Sequence, residues 1–489
     1  MDYHITRGKI LSSIIWKVLE RGGTQGIQFL VMILLARLLL PEDFGLIVIV
    51  TIFITISSLI VESGFGSALI QKKDADEIDF SSIFYLNLVV ASLLYFILYF
   101  SAPMIASFFD EPQLVSVLRI LSLTLFSGAI LSIQNAIISR NMQFKNLFVS
   151  SLIAVVLSGA VGIAMALLNF GIWALVAQQL IHRFMVPMIL WFTVNWRPRL
   201  IFSITRIKQL YNYGWKLLVS SLIYTFYLNL QNLLIGKLFN PALLGFYNRG
   251  MQFPNIIVDN INGSIQNVMF PALSAEQDNK VKLKEMVRRL ISLSTFIVFP
   301  MMVGLAVIAE PLIRLLLTEK WLPTVPFLQI FCIYYALWTV DISNLQAIKA
   351  VGRSDIYLKL EIIKIVVGLI ILAITIPFGT HAMALGMLVN GIIAPIVDGY
   401  PNKKLLNYHL IEQWKDALPA ILLSVLMGAC IYCIKWLGLS DLPTILLQVL
   451  AGIIFYVCAA SLLKLECFTY LLSLLRKQRG KKVSLEGAS

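Results

Sequence analysis

The feature that most constrains this chain is a series of apolar segments, separated by short polar loops. A helix needs about 20 mostly apolar residues to cross the hydrocarbon core of a bilayer. At 59% hydrophobic and 13% charged residues, the chain carries more apolar surface than a soluble core can bury. We therefore predict an all-α integral membrane protein with about fourteen transmembrane helices. The predicted spans are residues 14–38, 44–61, 80–100, 114–138, 147–168, 172–194, 213–236, 251–270, 290–308, 325–347, 360–376, 382–397, 418–437 and 442–463.

The distribution of the basic residues predicts the orientation of the chain. Lys and Arg concentrate in alternate loops, most strongly in residues 197–208, 280–289 and 476–482. The positive-inside rule then places both termini of this multi-pass inner-membrane protein in the cytoplasm. The net charge of +13 indicates attraction to anionic lipid headgroups and not to nucleic acid. Residues 468–475 fit either an interfacial helix or the start of a disordered basic tail.

Two stretches of the chain resemble each other and predict an internal repeat. Residues 36–46 and 236–246 both read small, basic, Leu, two residues, Pro, three residues, Gly. An even number of spans separates them, so the two halves run in the same direction through the membrane. We predict an N-lobe over 1–200 (helices 1–6) and a C-lobe over 201–410 (helices 7–12). Helices 13–14 and a basic cytoplasmic tail follow over 411–489.

Several charged side chains fall inside the predicted spans, where each costs at least about 2.5–3.5 kcal/mol unless it faces a partner or water. Arg119 and Arg183 lie deep, which favours a hydrated cavity. Near helix ends, a lysine or arginine can instead reach the headgroups. That alternative applies to Arg37, Lys216, Lys364 and Lys435.

The eighth predicted span is unusually polar for a helix in lipid. Asn255, Asp259 and Asn262 lie along it, and Asp341 lies in the tenth span. We predict that these four residues line an aqueous cavity. Because the first lobe supplies more cations than acids within its spans, the cavity suits an anionic substrate such as a lipid-linked phosphate or pyrophosphate.

Signatures of enzymes and of metal sites are absent from the sequence. There are four histidines, all far apart, and no Walker loop. The C-x-x-C of Cys430 and Cys433 lies in an apolar helix without a second ligand pair, so both cysteines are predicted to be buried hydrophobes. We predict no catalytic residues, no metal and no cofactor.

Three segments resemble bacterial polysaccharide flippases, namely residues 22–28, 36–45 and 61–72. These flippases belong to the multidrug/oligosaccharidyl-lipid/polysaccharide exporter superfamily, and the chain is most similar to their lipopolysaccharide and colanic-acid exporter branch. The resemblance implies a MATE-like fold of two lobes with alternating access. It also implies transport of an oligosaccharide linked to undecaprenyl pyrophosphate, beside polymerase and export machinery.

The resemblance implies that cavity arginines bind the pyrophosphate. The substrate-binding candidates are Arg21, Gln25, Arg37, Arg119, Arg183 and Arg249. Coupling to a proton or sodium gradient occurs in the superfamily, but no motif here identifies an ion site.

Two other functions stay open. A drug or cation antiporter of the same superfamily would need an acid-lined pocket, whereas the first lobe is rich in arginine. A polysaccharide polymerase or ligase usually needs a sizeable outer loop, but the longest predicted one, residues 310–324, is far below domain size.

Overall fold

The structure is a computed structural model, and it describes residues 7–62, 65–72 and 74–470. All regular elements within these ranges are helices, which confirms the predicted all-α class. Nine helices precede residue 240: α1 (Arg7–Leu38), α2 (Pro41–Glu62), α3 (Phe65–Gln71), α4 (Glu77–Phe109), α5 (Gln113–Leu121), α6 (Thr124–Asn141), α7 (Phe144–Leu167), α8 (Ile172–Thr193) and α9 (Ile204–Leu238).

Nine further α-helices follow in the described chain, with three short 3-10 turns between them. They are α10 (Pro241–Ala275), α11 (Lys280–Val307), α12 (Ala309–Leu317), α13 (Thr324–Ala350), α14 (Ser354–Thr375), α15 (Thr380–Gly399), α16 (Asn402–Leu406), α17 (Leu410–Tyr432) and α18 (Asp441–Leu462).

Twelve spans of the described chain are long and apolar enough to cross a membrane, so the count of fourteen is not confirmed. The two predicted spans that fall short are the first and the eighth. In α1 only Gly22–Leu38 is apolar, because charged residues occupy its first turns. In α10 the amides, Arg249 and Asp259 lower the hydropathy of a 35-residue helix.

The contacts divide the chain into two compact units, Met1–Gly245 and Phe246–Ser489. The division falls within α10 and not after residue 200, because α9 packs against α2, α3 and α4. The three predicted domains, 1–200, 201–410 and 411–489, stay a prediction. The predicted interfacial helix and basic tail lie largely outside the described residues.

In the first unit, α7 packs between α1 and α8, and α6 packs against α2, α4 and α8. An apolar cluster that includes Leu69, Ile83, Ile133 and Leu190 joins α3, α4, α6 and α8. In the second unit, α11 packs against α13 and α17. A cluster around Met427 and Tyr456 ties α17 and α18 to α11.

The predicted repeat has a local structural counterpart in the turns at Pro41 and Pro241. Each turn ends one helix at a leucine and begins the next at the proline, the position where the missing N–H costs least. The two turns also contact each other. A Cβ added at Gly45 would lie 1.8 Å from the Pro241 carbonyl oxygen, and one added at Gly245 would lie 2.3 Å from that of Pro41. Only glycine permits both approaches.

Both C-x-x-C cysteines lie on the exposed surface of the second unit, so the prediction that they are buried is wrong. Cys430 is in α17 and Cys433 begins the 3-10 turn that follows. They project from the apolar surface of a helix that is long enough to span a membrane, where lipid replaces a protein core.

Candidate functional site

Arg119, a predicted substrate ligand, has a structural partner. Its Nε donates to the Tyr99 carbonyl oxygen at 3.1 Å, and its guanidinium stacks on the Tyr99 ring at 4.2 Å. Pro103, four residues after Tyr99 in α4, has no N–H to bond that carbonyl. Arg119 therefore supplies the donor that the proline removes, and this contact explains its depth without a substrate. Its assignment to a binding site stays a prediction.

In the second unit, too, a side chain from another helix donates to a carbonyl that a proline leaves without its helical donor. Pro300 leaves the Phe296 carbonyl of α11 without its helical donor, and the buried Tyr456 hydroxyl donates to that carbonyl at 3.0 Å. Both prolines lie in the third helix of their predicted repeat, close to its end. In each of these two proline-containing helices, a donor from another helix of the same unit thus binds the freed carbonyl.

Arg183 differs from Arg119, because it is exposed on the surface of its unit. It follows His182 on α8, and its charge interacts with Glu62 at the end of α2. An exposed guanidinium within a predicted span fits contact with an aqueous space. Of the deep arginines, Arg183 therefore best retains the predicted role of binding an anion.

The other candidates of the first unit lie on α1. Gln25 and Arg37 are both exposed, and Arg37 lies in the last turn of the helix. Arg21 also lies on α1, but its side chain is outside the described part of the structure. Their role in binding stays a prediction.

The polar residues predicted in the eighth span lie along α10. Arg249 is buried, bonds Gln252 and faces the Trp321 ring at 5.9 Å. Asn255 is half-buried and Asp259 is exposed. Asn262 is 3% exposed, and its Nδ2 has no hydrogen-bond partner among the described residues. A buried amide donor of this kind is suited to a polar ligand or water.

Asp341 belongs to an ionic cluster that the sequence analysis missed. The Nζ of Lys364 lies 2.7 Å from Asp398 Oδ2, 3.1 Å from Glu361 Oε1 and 3.6 Å from Asp341 Oδ2. The idea that Lys364 reaches the headgroups is wrong, since its side chain is 12% exposed and turns inward to these acids. Glu361 and Lys364, three residues apart within an apolar span, were the available signal.

At the ends of two spans, a smaller network joins α12 to the region around α18. Glu310 accepts hydrogen bonds from Lys435 at 2.7 Å and from Arg314 at 2.9 Å, and Arg314 also bonds Asp441. The hydrogen bond from Lys435 is the main cause that lowers the pKa of Glu310. All four side chains are partly exposed, so the network orients loops and adds little stability.

Comparison with known proteins gives a consistent set of relatives. A profile of the family described as "Polysaccharide biosynthesis protein" matches residues 34–326. The teichuronic acid biosynthesis protein TuaB of Bacillus subtilis (strain 168) is 28% identical over 303 residues, which is 61% of this chain and 62% of TuaB. The succinoglycan biosynthesis transport protein ExoT of Rhizobium meliloti (strain 1021) is 25% identical over 341 residues, 70% of this chain and 69% of ExoT.

Among solved structures, the fold is similar to that of the lipid II flippase MurJ in its inward closed conformation. The TM-score is 0.76 at 16% identity, over 92% of this chain and 98% of MurJ. At this identity the likeness is one of fold.

Proposed function

Because the chain belongs to the polysaccharide biosynthesis protein family, we propose that it is a flippase for oligosaccharides linked to undecaprenyl pyrophosphate. It moves each repeat unit from the inner to the outer leaflet by alternating access. The observation that carries this proposal is the family match, joined to a MurJ-like fold along nearly the whole chain. The protein is a transporter and not an enzyme.

The chemistry of the substrate explains why a protein is needed. Each unpaired hydroxyl of a sugar costs roughly 2–7 kcal/mol in hydrocarbon, and a pyrophosphate costs more. A polar surface within the membrane removes this barrier while the prenyl chain stays in lipid. The exposed Arg183 of the first unit suits the pyrophosphate.

Two alternatives receive less support. A drug antiporter shares the MATE fold, but the relatives named above serve polysaccharide biosynthesis. A polymerase or ligase would need catalytic groups outside the membrane. The segment between α11 and α13 holds only α12 and a 3-10 turn, which contribute an ion-pair network and an apolar face.

The location follows from the same proposal. Because the proposed substrate starts on the cytoplasmic leaflet, we place the protein in the bacterial inner membrane, and we place both termini inside from the distribution of its basic residues. The basic segments at residues 197–208 and 280–289 support this orientation. Polymerase and export proteins are the expected neighbours that use the flipped units.

A deletion strain tests the function directly. Loss of the protein should make lipid-linked repeat units accumulate on the inner leaflet, where they stay protected from a membrane-impermeant glycosidase in spheroplasts. Restoration by the wild-type chain is the control. Accumulation of units that the glycosidase reaches would indicate a polymerase or ligase and would overturn the flippase proposal.

A further inference from the structure

The ionic cluster around Lys364 combines acids from three helices, and two of these acids are buried. Asp341 lies on α13, Glu361 and Lys364 on α14, and Asp398 on α15. The Asp398 side chain is fully buried, that of Asp341 is 5% exposed and that of Glu361 is 23% exposed. All three carboxylates lie within 4 Å of one ammonium group.

The charges of the cluster do not balance. Lys349 of α13 is the second nearby cation, and its charge interacts with Glu361, Lys364 and Asp398. Glu361 is partly exposed and Lys349 is exposed, so water can solvate both, whereas the buried pair Asp341 and Asp398 shares the one ammonium of Lys364 and keeps one surplus negative charge. An uncompensated charge in a buried site costs several kcal/mol, so binding one further cation is favourable.

The unsatisfied atoms indicate where that cation binds. Asp341 Oδ1 and Asp398 Oδ1 are both buried and have no hydrogen-bond partner among the described residues. The neighbouring amides do not serve them, since Asn402 Nδ2 donates to Asn344 Oδ1 at 2.7 Å. The side chains of Asp341 and Asp398 lie within hydrogen-bonding reach of each other, so a proton on one would let it donate to a carboxylate oxygen of the other.

A proton fits this site better than a metal ion. The ammonium of Lys364 already occupies the position between the carboxylates where a metal would bind. In the described residues, no group of three or more His, Cys, Asp or Glu side chains could hold a metal. The cluster therefore lacks only one positive charge. A proton supplies that charge without needing several coordinating groups, as a metal ion would.

We propose that the cluster binds one proton, shared by Asp341 and Asp398, and that this proton couples flipping to the transmembrane proton gradient. The coupling half of the inference rests on the proposed function. The proton comes from water on one side of the membrane and returns to water on the other, so no other reactant is needed.

The packing of α14 suggests how the proton acts on the fold. Within the described helix α14, Leu360 is buried and the other residues are partly or fully exposed, and α14 packs mainly on α15. The ion pairs of Lys364 with Asp341 and Asp398 add a link from α14 to α13 and to α15. Protonation removes a negative charge from the acids that hold Lys364 and loosens α14.

The first experiment needs no substrate. Infrared difference spectra of the purified full-length protein, titrated in sodium-free buffer, should show a protonated carboxyl band that titrates with pH. Asp398→Asn and Asp341→Asn should each remove that band. Asp355→Asn is the matched control, because Asp355 pairs with Arg353 at the exposed start of the same helix. A band that persists in both aspartate variants would overturn the site.

The second experiment tests coupling in proteoliposomes that carry a lipid-linked oligosaccharide. A pH gradient should shift the leaflet ratio about tenfold per unit for one proton per cycle. Asp398→Asn should abolish this shift and Asp355→Asn should retain it. A shift that survives in Asp398→Asn, or one that needs sodium instead, would overturn the coupling. Wild-type protein that flips nothing would contradict the proposed function, while the infrared result still decides the proton site.

Discussion

At the scale of the residue, a charge inside a span takes its meaning from a partner that the sequence does not reveal. The depth of Arg119 follows directly from the apolar run around it, whereas Lys364 lies near the start of its predicted span, which wrongly indicated that it reaches the headgroups. The partners of both follow from neither run, since Tyr99 and Asp398 lie on other helices, 20 and 34 residues away. Side-chain spacing along one helix predicts which residues share its face, but not which helix that face meets.

The bond between Arg119 and Tyr99 predicts a coupling with Pro103. Arg119→Ala should destabilise the protein by about 1–3 kcal/mol, because the Tyr99 carbonyl is left without a donor. In a Pro103→Ala background the restored N–H bonds that carbonyl, so Arg119→Ala should cost clearly less. Thermal unfolding in detergent of the four proteins in this cycle measures the difference. Equal losses in both backgrounds would show that Arg119 does not serve this carbonyl.

The ionic cluster predicts a strong penalty for loss of its lysine. Lys364→Met should destabilise the protein by about 3–5 kcal/mol, because three acids lose their shared cation. Adding Asp398→Asn removes one of those charges and should restore part of the loss. Chemical denaturation of the single and double variants checks this, and an additive result would contradict the proposed contacts.

At the scale of the element, the repeated turns are where sequence and structure agree best. Proline at the first helical position and glycine four residues later are visible in residues 36–46 and 236–246. The mutual approach of the two turns was not predictable, because a periodic pattern does not show which backbones come together. Nor was the break at Ser122–Leu123 between α5 and α6, since the apolar run continues through it.

The close contact between the two turns predicts that glycine-to-alanine substitutions differ in their effect on stability. Gly45→Ala and Gly245→Ala should each destabilise the protein by about 1–3 kcal/mol, because the added Cβ meets a backbone carbonyl. Gly128→Ala in α6 is the control, since nothing lies within 4 Å of its Cβ position, and it should be neutral or stabilising. Melting temperatures in detergent rank the three. Equal behaviour of all three would disprove the close approach.

At the scale of the whole molecule, composition alone was sufficient for the all-α membrane class. It was not sufficient for the number of spans, because α1 and α10 are long helices with too many polar residues to be counted by hydropathy. Their polarity is itself informative, since a flippase needs surfaces that are not apolar. The substrate and its carrier leave no motif, because a sugar binds through hydroxyls and many side chains can pair with those.

The predicted orientation is tested by labelling. In a chain without its five native cysteines, Asp110→Cys should react with a membrane-impermeant maleimide in intact spheroplasts. Asp278→Cys, in the turn before α11, should react only after permeabilisation. Both positions lie in short connections between helices, so neither change disturbs a core. The reverse pattern would invert the topology and with it the direction of transport.

The braced prolines have a mechanical consequence. A proline kink usually gives a helix freedom to bend, because the carbonyl it frees can exchange partners. In α4 and α11 that carbonyl is held by Arg119 and by Tyr456, so each helix keeps a fixed angle. Helices held in this way move as rigid bodies. The bending that alternating access requires must therefore occur in other segments of the chain.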